Sequence, residues 1–499
     1  MGIFSKLAKD TAIYGSTLIL ARVLNYLFLP IYTRILGTAE FGIYSEIMGY
    51  IAFLQILLTF GLETGFFRFA NRSDQNPSLV FSTVFRFLFT TSLVFFVGVT
   101  FFSQSIADLM GYYRIAVIYS IAILAIDSFT AVLFAKLRFE NKPLKFGVFK
   151  MIKVLSESAF NLILLFFVPK YLANNPDSIL LNFLSPTPDY TYILAAIFGS
   201  CIISVLLFIP DFFSMSFKFS IKTLKSVLIY SLPLMVAGFP GIANDVIDRL
   251  LFRFFAPDTA PWDEQLGIFS ANVKLAIFIV LFIQMFRYAA EPFFFSSSNQ
   301  PNIKKVYADV MKYFTAFCML IFMFITMYID LFGLILGKDF RSGIVVVPIM
   351  LLANVLLGIN QNLSMWYKLC ERTKSAIFIT IIGLSATLLV NILFMPRFGA
   401  YAAAWGHLIS YTVMIIVSYR MSIKYYHIPY EWGRLGVFIG SGVLLYLISL
   451  LFNGMPLIVK LSLNTVLLLV YFFFLLKIER INPVLILIRI REKVGKRSE

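Results

Sequence analysis

Long apolar stretches alternate with short polar connections along almost the whole chain. Representative stretches are Leu88–Phe102, Ile115–Phe134, Ile377–Phe394 and Val437–Phe452. A helix needs about 20 apolar residues to cross a bilayer, because it rises about 1.5 Å per residue. The pattern predicts an all-α polytopic membrane protein with about 14 spans. We place the spans at 11–36, 41–67, 80–103, 113–135, 146–168, 190–214, 224–255, 266–292, 306–332, 343–366, 375–396, 399–420, 435–453 and 457–477.

Charge is distributed unevenly between the connections. The chain has a net charge of +16 with only 14% charged residues, and its Lys and Arg residues concentrate in every second connection and in the tail. The other connections carry more acids, among them Asp177, Asp189, Asp258, Asp263 and Glu264. The positive-inside rule therefore predicts that both termini are cytoplasmic and that the span count is even. Cytoplasmic connections account for the positive charge, so we expect no nucleic-acid partner.

An internal repeat divides the chain. Phe41-Gly42-Ile43-Tyr44-Ser45 is matched by Leu266-Gly267-Ile268-Phe269-Ser270, and Phe67-Arg68-Phe69-Ala70 by Phe286-Arg287-Tyr288-Ala289. The matches keep one order, which predicts two pseudo-symmetric six-helix lobes with a substrate path between them. We expect an N-lobe at 1–216 (spans 1–6) and a C-lobe at 217–430 (spans 7–12). Two extra spans follow at 431–477, and a basic amphipathic cytoplasmic tail at 478–499.

The sequence lacks the residue patterns and external domains that are typical of membrane enzymes. It has only two histidines, His407 and His427, and its three cysteines show no pairing or metal-binding pattern. The longest connection on the acidic side, Lys170 to Asp189, is too short for a catalytic domain. We therefore expect a non-enzyme with no metal site and no cofactor, and we expect His407 to be a packed residue rather than a proton relay.

Several segments resemble one family of transporters. Ala21–Gly37, followed by Phe41–Tyr44, resembles the opening of polysaccharide-type lipid flippases. Asp248–Leu251, Leu266–Ser270 and Ala289–Phe293 resemble the second lobe of that family, and Asn391–Pro396 with Gly399–Ala404 resembles its connection between spans 11 and 12. The likeness covers essentially the whole chain. The family belongs to the multidrug, oligosaccharidyl-lipid and polysaccharide exporter superfamily, which includes the lipid II flippase.

The resemblance implies a function. Such flippases move undecaprenyl-pyrophosphate-linked oligosaccharide repeat units across the bacterial inner (cytoplasmic) membrane by alternating access. The product serves O-antigen (lipopolysaccharide), capsule or exopolysaccharide assembly. The implied partners are the lipid-linked oligosaccharide, membrane lipids, a polysaccharide polymerase and other assembly proteins.

Charges inside the spans are the candidates for a transport path, because a charge at the bilayer centre costs about 2.5–3.5 kcal/mol on insertion scales. We predict a cationic cavity for the pyrophosphate, since arginine can donate two hydrogen bonds to phosphate oxygens. Arg22 and Lys274 are the leading candidates, because neither has an acid within a turn on its own helix. The full predicted substrate-binding set is Arg22, Asn25, Lys274, Arg249, Arg68 and Arg287.

Other charged residues and the prolines receive separate predictions. Glu63, Asp127 and Asp245 are candidates for binding a coupling cation, with Na⁺, H⁺ and the membrane potential all left open. Lys153 with Glu157, Arg287 with Glu291, and Asp248 with Arg249 are expected to form structural ion pairs. Pro30, Pro233 and Pro240 interrupt corresponding spans of the two repeats, which predicts a hinge at these kinks.

Three alternatives stay open. A cation-coupled multidrug exporter of the same superfamily would favour acids over isolated arginines in its path. A membrane glycan polymerase or ligase would need larger external loops. A non-catalytic membrane scaffold would not require the repeat or the charges within spans.

Overall fold

The computed structural model describes residues 15–17, 19–73, 75–213, 218–296 and 302–480, which form helices and connections without a strand. Fourteen helices in these ranges are long and apolar enough to cross a membrane, which confirms the predicted all-α class and span number. We number them α1 Gly15–Ile35, α2 Thr38–Ala70, α3 Pro77–Phe101, α4 Arg114–Phe139, α5 Pro143–Asn174, α6 Tyr190–Leu207, α7 Ile221–Phe255, α8 Trp262–Tyr288, α9 Ile303–Met327, α10 Lys338–Leu369, α11 Lys374–Phe398, α12 Ala400–Tyr425, α13 Trp432–Phe452 and α14 Leu457–Ile478. Of the predicted tail at 478–499, the structure describes only residues 478–480.

Several of these helices are interrupted. A helical segment of α1, Leu29–Ile35, carries Pro30 in its first turn, where a missing N–H breaks no helical hydrogen bond. α2 breaks at Phe60 and Gly61, which have φ of 51° and 65°. In contrast, α7 runs without a break through Pro233 and Pro240. Whether these prolines act as hinges stays a prediction.

Connections that follow even-numbered helices gather at one end of the protein, which we call the basic end. There Ser82 Oγ donates to the Lys218 carbonyl oxygen at 2.7 Å, and Lys145 pairs with Asp211 at 2.8 Å. Connections that follow odd-numbered helices gather at the opposite end, where Arg34 donates to the Leu334 carbonyl oxygen at 2.8 Å. That the basic end faces the cytoplasm stays a prediction.

The repeated glycines of α2 and α8 bring the two backbones into direct contact. A Cβ on Gly42 would lie 1.8 Å from the Asp263 carbonyl oxygen, and one on Gly267 would lie 1.9 Å from that of Thr38. Only glycine permits this approach, because any side chain would overlap the facing backbone. Equivalent positions of the repeat therefore meet each other, as they would beside a pseudo-two-fold axis.

The last two helices are fastened to α9 by charges at both of its ends. At the opposite end, Lys460 of α14 pairs with Asp330 at 2.5 Å, just beyond α9. At the basic end, buried Lys312 of α9 contacts Asp309, Glu431 and Glu479 at 3.2, 3.6 and 3.0 Å. Helices α13 and α14 are thus joined to α9 rather than held by packing alone.

Replacing Lys312 by methionine should loosen this module. Glu479, whose side chain is only 4% exposed, would keep only its contact with Arg434 at 3.1 Å, so the loss should be about 1–3 kcal/mol, the range for a hydrogen bond to a charged group and below that of a fully unpaired buried charge. Thermal unfolding in detergent, with proteolysis at the 453–456 connection, measures the loss. Lys305→Met, at an exposed position on the same helix, is the control. Equal stability of the two variants would contradict the proposed role of the cluster.

Candidate functional site

A cavity of about 360 Å³ lies between the lobes. Helices α1 and α2 form one side of it, and α7, α8, α10 and α12 form the other. Its lining residues are Tyr26, Tyr44, Ser45, Met48, Asp245, Asp248, Arg249, Phe269, Ser270, Val273, Lys274, Ile277, Val280, Met350, Asn354, Leu357, His407 and Tyr411. Charged, aromatic and amide groups therefore share one space within the candidate membrane spans.

Lys274 and Arg249 supply the positive charge of the cavity. Lys274 begins a 3₁₀ segment of α8, Lys274–Ala276, and its ammonium lies 4.8 Å from the Phe41 ring centroid and 5.6 Å from that of Tyr44. Within the described ranges, neither cation forms an ion pair with a carboxylate. Aromatic rings attract a cation without occupying its hydrogen-bond donors. Both side chains can therefore donate to an anion that enters the cavity.

The same side of the cavity also carries two acids and a histidine, on α7 and α12. His407 Nε2 of α12 lies 3.4 Å from Asp248 Oδ2 of α7, and both side chains are buried. One turn away, the Tyr411 hydroxyl donates to Asp245 Oδ1 at 3.3 Å. The carboxyl of Asp245 opens toward the cavity, whereas that of Asp248 is enclosed. The cavity therefore holds charges of both signs.

At the end of the protein opposite the basic end, the lobes close over the cavity. Arg253 of α7 donates from Nε and Nη2 to the two carboxylate oxygens of Glu46 of α2, both at 2.7 Å. Glu46 is fully buried and also accepts a hydrogen bond from Tyr112, while Trp262 stacks under the guanidinium at 4.1 Å. A bidentate, enclosed pair of this kind has a defined geometry that moving the lobes apart would break.

The lobes also touch at the basic end. A Cβ on Gly15 of α1 would lie 3.3 Å from the Tyr288 ring of α8, and one on Gly65 of α2 would lie 2.1 Å from Ser231 Oγ of α7. The Arg68 guanidinium stacks on the Tyr230 ring at 4.1 Å. Contacts between the lobes therefore bound the cavity along the membrane axis in both directions.

The structure brings two of the six predicted substrate-binding residues into the cavity, Lys274 and Arg249. Arg22 and Asn25 are exposed on α1 and do not line it, although Arg22 lies within electrostatic range of the Tyr26 hydroxyl. Arg68 stacks on Tyr230 at the basic end. Arg287 is exposed near the end of α8. These four residues lie outside the cavity lining.

Two of the three acids proposed for cation coupling already have basic partners. Glu63 accepts from Arg138 at 2.8 Å, and Asp127 accepts from Lys153 at 2.5 Å. Asp245 is the member of the set that lines the cavity. A coupling cation at Glu63 or Asp127 would have to displace a bound side chain.

The expected pairing within helices is wrong in two cases. Lys153 pairs with Asp127 of α4 rather than with Glu157, and Asp248 pairs with His407 rather than with Arg249. Neighbouring helices bring better-placed partners than the same helix offers, and adjacent residues such as Asp248 and Arg249 do not face each other on a helix. For Arg287 and Glu291, the Glu291 side chain lies outside the described part.

We expect Asp127→Asn to destabilise the N-lobe by about 3 kcal/mol, because it leaves the Lys153 ammonium without its carboxylate. Adding Lys153→Met should recover most of the loss, since both charges are then absent. A double-mutant cycle of thermal unfolding in detergent measures the coupling. Additive losses in the double variant would show that the pair is not a structural unit.

Sequence reasoning missed the polar wall formed by His407, Tyr411 and Asn354. Each is a polar residue in a largely apolar helix, and only the assembled helices show that His407 contacts Asp248, that Tyr411 contacts Asp245, and that Asn354 lines the same cavity. The helical spacing of His407 and Tyr411, which places both on one face of α12, was the available signal.

Comparison with known proteins now gives the family. A family model described as "Polysaccharide biosynthesis protein" matches residues 7–298, more than half of the chain. The predicted family resemblance is therefore confirmed. No curated protein sequence gives a significant match.

Solved structures share the fold. The lipid II flippase MurJ in an inward closed conformation aligns with a TM-score of 0.70 and 14% identity, covering 93% of this chain and 98% of its own. An outward-facing multidrug resistance MATE family transporter of the MOP superfamily aligns at 0.54 and 13% identity, covering 87% and 97%. The MATE multidrug transporter DinF-BH aligns at 0.52 and 15% identity, covering 85% and 96%. At these identities the likeness concerns the fold alone.

Proposed function

Because the chain belongs to the polysaccharide biosynthesis protein family, we propose that it moves undecaprenyl-pyrophosphate-linked oligosaccharide units across the bacterial inner membrane. The observation that carries the proposal is the pair of cations, Lys274 and Arg249, which face a cavity between the lobes without an ion-pair partner in the described ranges. The pair suits an anionic headgroup, since an unpaired charge inside a membrane protein is costly unless it meets a partner.

The geometry supports headgroup binding in physical terms. Arginine offers a planar fork of donors to phosphate oxygens, and the lysine ammonium adds a point charge on the neighbouring helix α8. Tyr26 and Tyr44 add aromatic faces, and Asn354, whose Nδ2 donates to the Ala276 carbonyl oxygen at 3.0 Å, adds an amide oxygen that can accept from a sugar hydroxyl. The polyprenyl tail would remain in the bilayer, because it gains nothing by entering a charged cavity.

Alternating access would expose this cavity to one side at a time. The Glu46–Arg253 pair and the Gly42–Gly267 contact would open toward the outer side, while contacts such as Gly15–Tyr288 would open toward the cytoplasm. No bond in the substrate changes, so the protein would act as a transporter rather than an enzyme. Polymerase and other assembly proteins would use the delivered units, and Na⁺, H⁺ or the membrane potential would drive the cycle.

A second candidate function is cation-coupled export of drugs. The observation that favours it is the presence of Asp245 and Asp248 in the same cavity, since carboxylates attract cationic molecules. Both carboxylates are accompanied by positive or hydrogen-bonding groups, His407 and Tyr411, whereas the two cations are not. The balance of available charge therefore favours an anionic substrate.

Reconstitution in sealed vesicles tests the proposal. The purified chain is incorporated with a fluorescent polyprenyl-pyrophosphate-linked oligosaccharide, and an impermeant glycosidase reports arrival in the outer leaflet. A parallel set of vesicles contains a cationic dye. We expect translocation of the lipid-linked glycan and not of the dye; translocation of the dye alone would replace the proposal with the second candidate.

A further inference from the structure

We propose that the His407–Asp248 pair is a protonation site whose occupancy controls how strongly the cavity binds a pyrophosphate headgroup. The inference rests on the proposed function, because it assigns a role to a pair of residues beside the headgroup cations. It concerns a site distinct from Lys274 and Arg249 themselves.

The pair is built to hold a variable number of protons. His407 and Asp248 are 4% and 3% exposed, and they face each other at 3.4 Å across α12 and α7. His407 Nδ1 and Asp248 Oδ1 have no hydrogen-bond partner in the part of the chain that the structure describes. Buried polar atoms are usually satisfied, so these two mark a site that is not organised for packing alone.

The surrounding charges give protonation a defined consequence. From α7 the histidine faces Asp245, Asp248 and Arg249, from its own helix Tyr411, and the remaining charged group of the cavity is Lys274 of α8. Tyr26 and Tyr44 complete the titratable lining and stay neutral at ordinary pH. With a neutral imidazole, the two carboxylates balance Arg249 and Lys274. With an imidazolium, the cavity carries one net positive charge.

Protonation of His407 also changes how the charge of Asp248 is neutralised. When His407 is neutral, Arg249 is the positive charge closest to Asp248 in sequence, and it acts on that carboxylate. When His407 is charged, the imidazolium neutralises Asp248 directly, and the net positive charge of the cavity then strengthens the attraction of Arg249 and Lys274 for phosphate oxygens. Proton binding and headgroup binding therefore favour each other, and by linkage the effect is reciprocal.

Histidine is the side chain whose ordinary titration falls near neutral pH, so the effect belongs in the physiological range. The chain provides its own control, because its only other histidine, His427, is exposed in the connection between α12 and α13. His407→Gln removes the titrating ring from the cavity, and His427→Gln removes the other one at a distance.

The experiment uses the full chain in detergent and isothermal titration calorimetry. The probe is farnesyl-pyrophosphoryl-N-acetylglucosamine, a pyrophosphate diester whose own charge is constant between about pH 6 and about pH 8. We expect the wild type and His427→Gln to bind it at least about tenfold more tightly at the lower pH, the effect of one charge-assisted hydrogen bond. His407→Gln should lose most of this difference, and in a Lys274→Arg background, where the other titratable cation of the cavity stays charged, it should bind the probe equally at both.

Proton uptake on binding provides a second, independent measurement. Repeating the wild-type titration near pH 7 in buffers of different ionisation enthalpy reveals protons taken up on binding. Uptake in the wild type and in His427→Gln supports the proposal, and if His407→Gln does not fold, loss of uptake in Asp248→Asn supports it equally. Binding without proton uptake or pH dependence overturns it. Failure of the wild type to bind the probe at either pH overturns the proposed function instead, and this inference with it.

Discussion

Alanine at Gly267 is expected to force α2 and α8 apart and to lower the stability of the closed protein by about 3 kcal/mol. The new Cβ would lie 1.9 Å from the Thr38 carbonyl oxygen, whereas carbon and oxygen atoms normally approach to about 3.5 Å. The obstacle is backbone and not a side chain that can rotate, so relief requires movement of a whole helix. Gly42→Ala should behave alike, because its Cβ meets the Asp263 carbonyl oxygen.

Thermal unfolding in detergent measures the loss of stability. The ring of Phe340 packs edge-on against that of Phe41, with the ring centroids 5.7 Å apart, at the end opposite the basic end. Labelling of a cysteine placed at Phe340 therefore reports whether the lobes separate at that end. Gly98→Ala is the matched control, because a Cβ there meets nothing within 4 Å. If Gly267→Ala remains as stable and as poorly labelled as Gly98→Ala, the α2–α8 contact does not hold this end closed.

Removing either cavity cation is expected to slow translocation of the lipid-linked glycan by about 10- to 100-fold, the value of a charge-assisted hydrogen bond. Lys274→Ala and Arg249→Ala each take a positive charge from the cavity and leave Asp245 and Asp248 in excess. Lys274→Arg should retain much of the rate, since it keeps the charge near the Phe41 and Tyr44 rings.

Vesicle translocation assays at equal protein density measure these rates. Lys170→Ala and Arg397→Ala provide matched controls, because they remove the same charges from exposed positions at helix ends. Unimpaired transport by both cavity variants would leave the transport activity intact and remove the cavity from its path. Equal losses in the control variants would indicate a general effect of net charge.

The sequence is informative about this fold because spans can be recognised from length and composition alone. Each helix must satisfy its own backbone in the bilayer, so the apolar stretches can be counted without knowing how they pack. The repeat adds a long-range fact, since Gly42 and Gly267 stand at equivalent positions and meet in the structure. Neither feature locates the break at Phe60–Gly61, where a Cβ on Gly61 would lie 3.0 Å from the Ser231 carbonyl oxygen of α7.

The candidate site was harder to predict, because partners across helices are invisible along one helix. Lys274 was identified since nothing on its own helix neutralises it, and it does line the cavity. Asp127, a candidate for cation binding, also has no basic residue within a turn on its own helix, yet Lys153 of the next helix pairs with it. His407 gave no sign of its carboxylate partner, which lies on α7, more than 150 positions earlier in the chain. A charged residue without a partner on its own helix is a candidate for the transport path. Only the packing of the helices shows whether another helix supplies that partner.

The most direct test of a path between the lobes is to hold the lobes together at the end opposite the basic end. Cysteines at Phe41 and Phe340, introduced after Cys201, Cys318 and Cys370 are replaced, can be joined by a short thiol-specific linker that a reductant cleaves. Translocation of the lipid-linked glycan is then measured before linking, after linking and after cleavage. We expect that linking stops translocation and that cleavage restores it. Translocation at an unchanged rate through fully linked protein would contradict a path between the lobes.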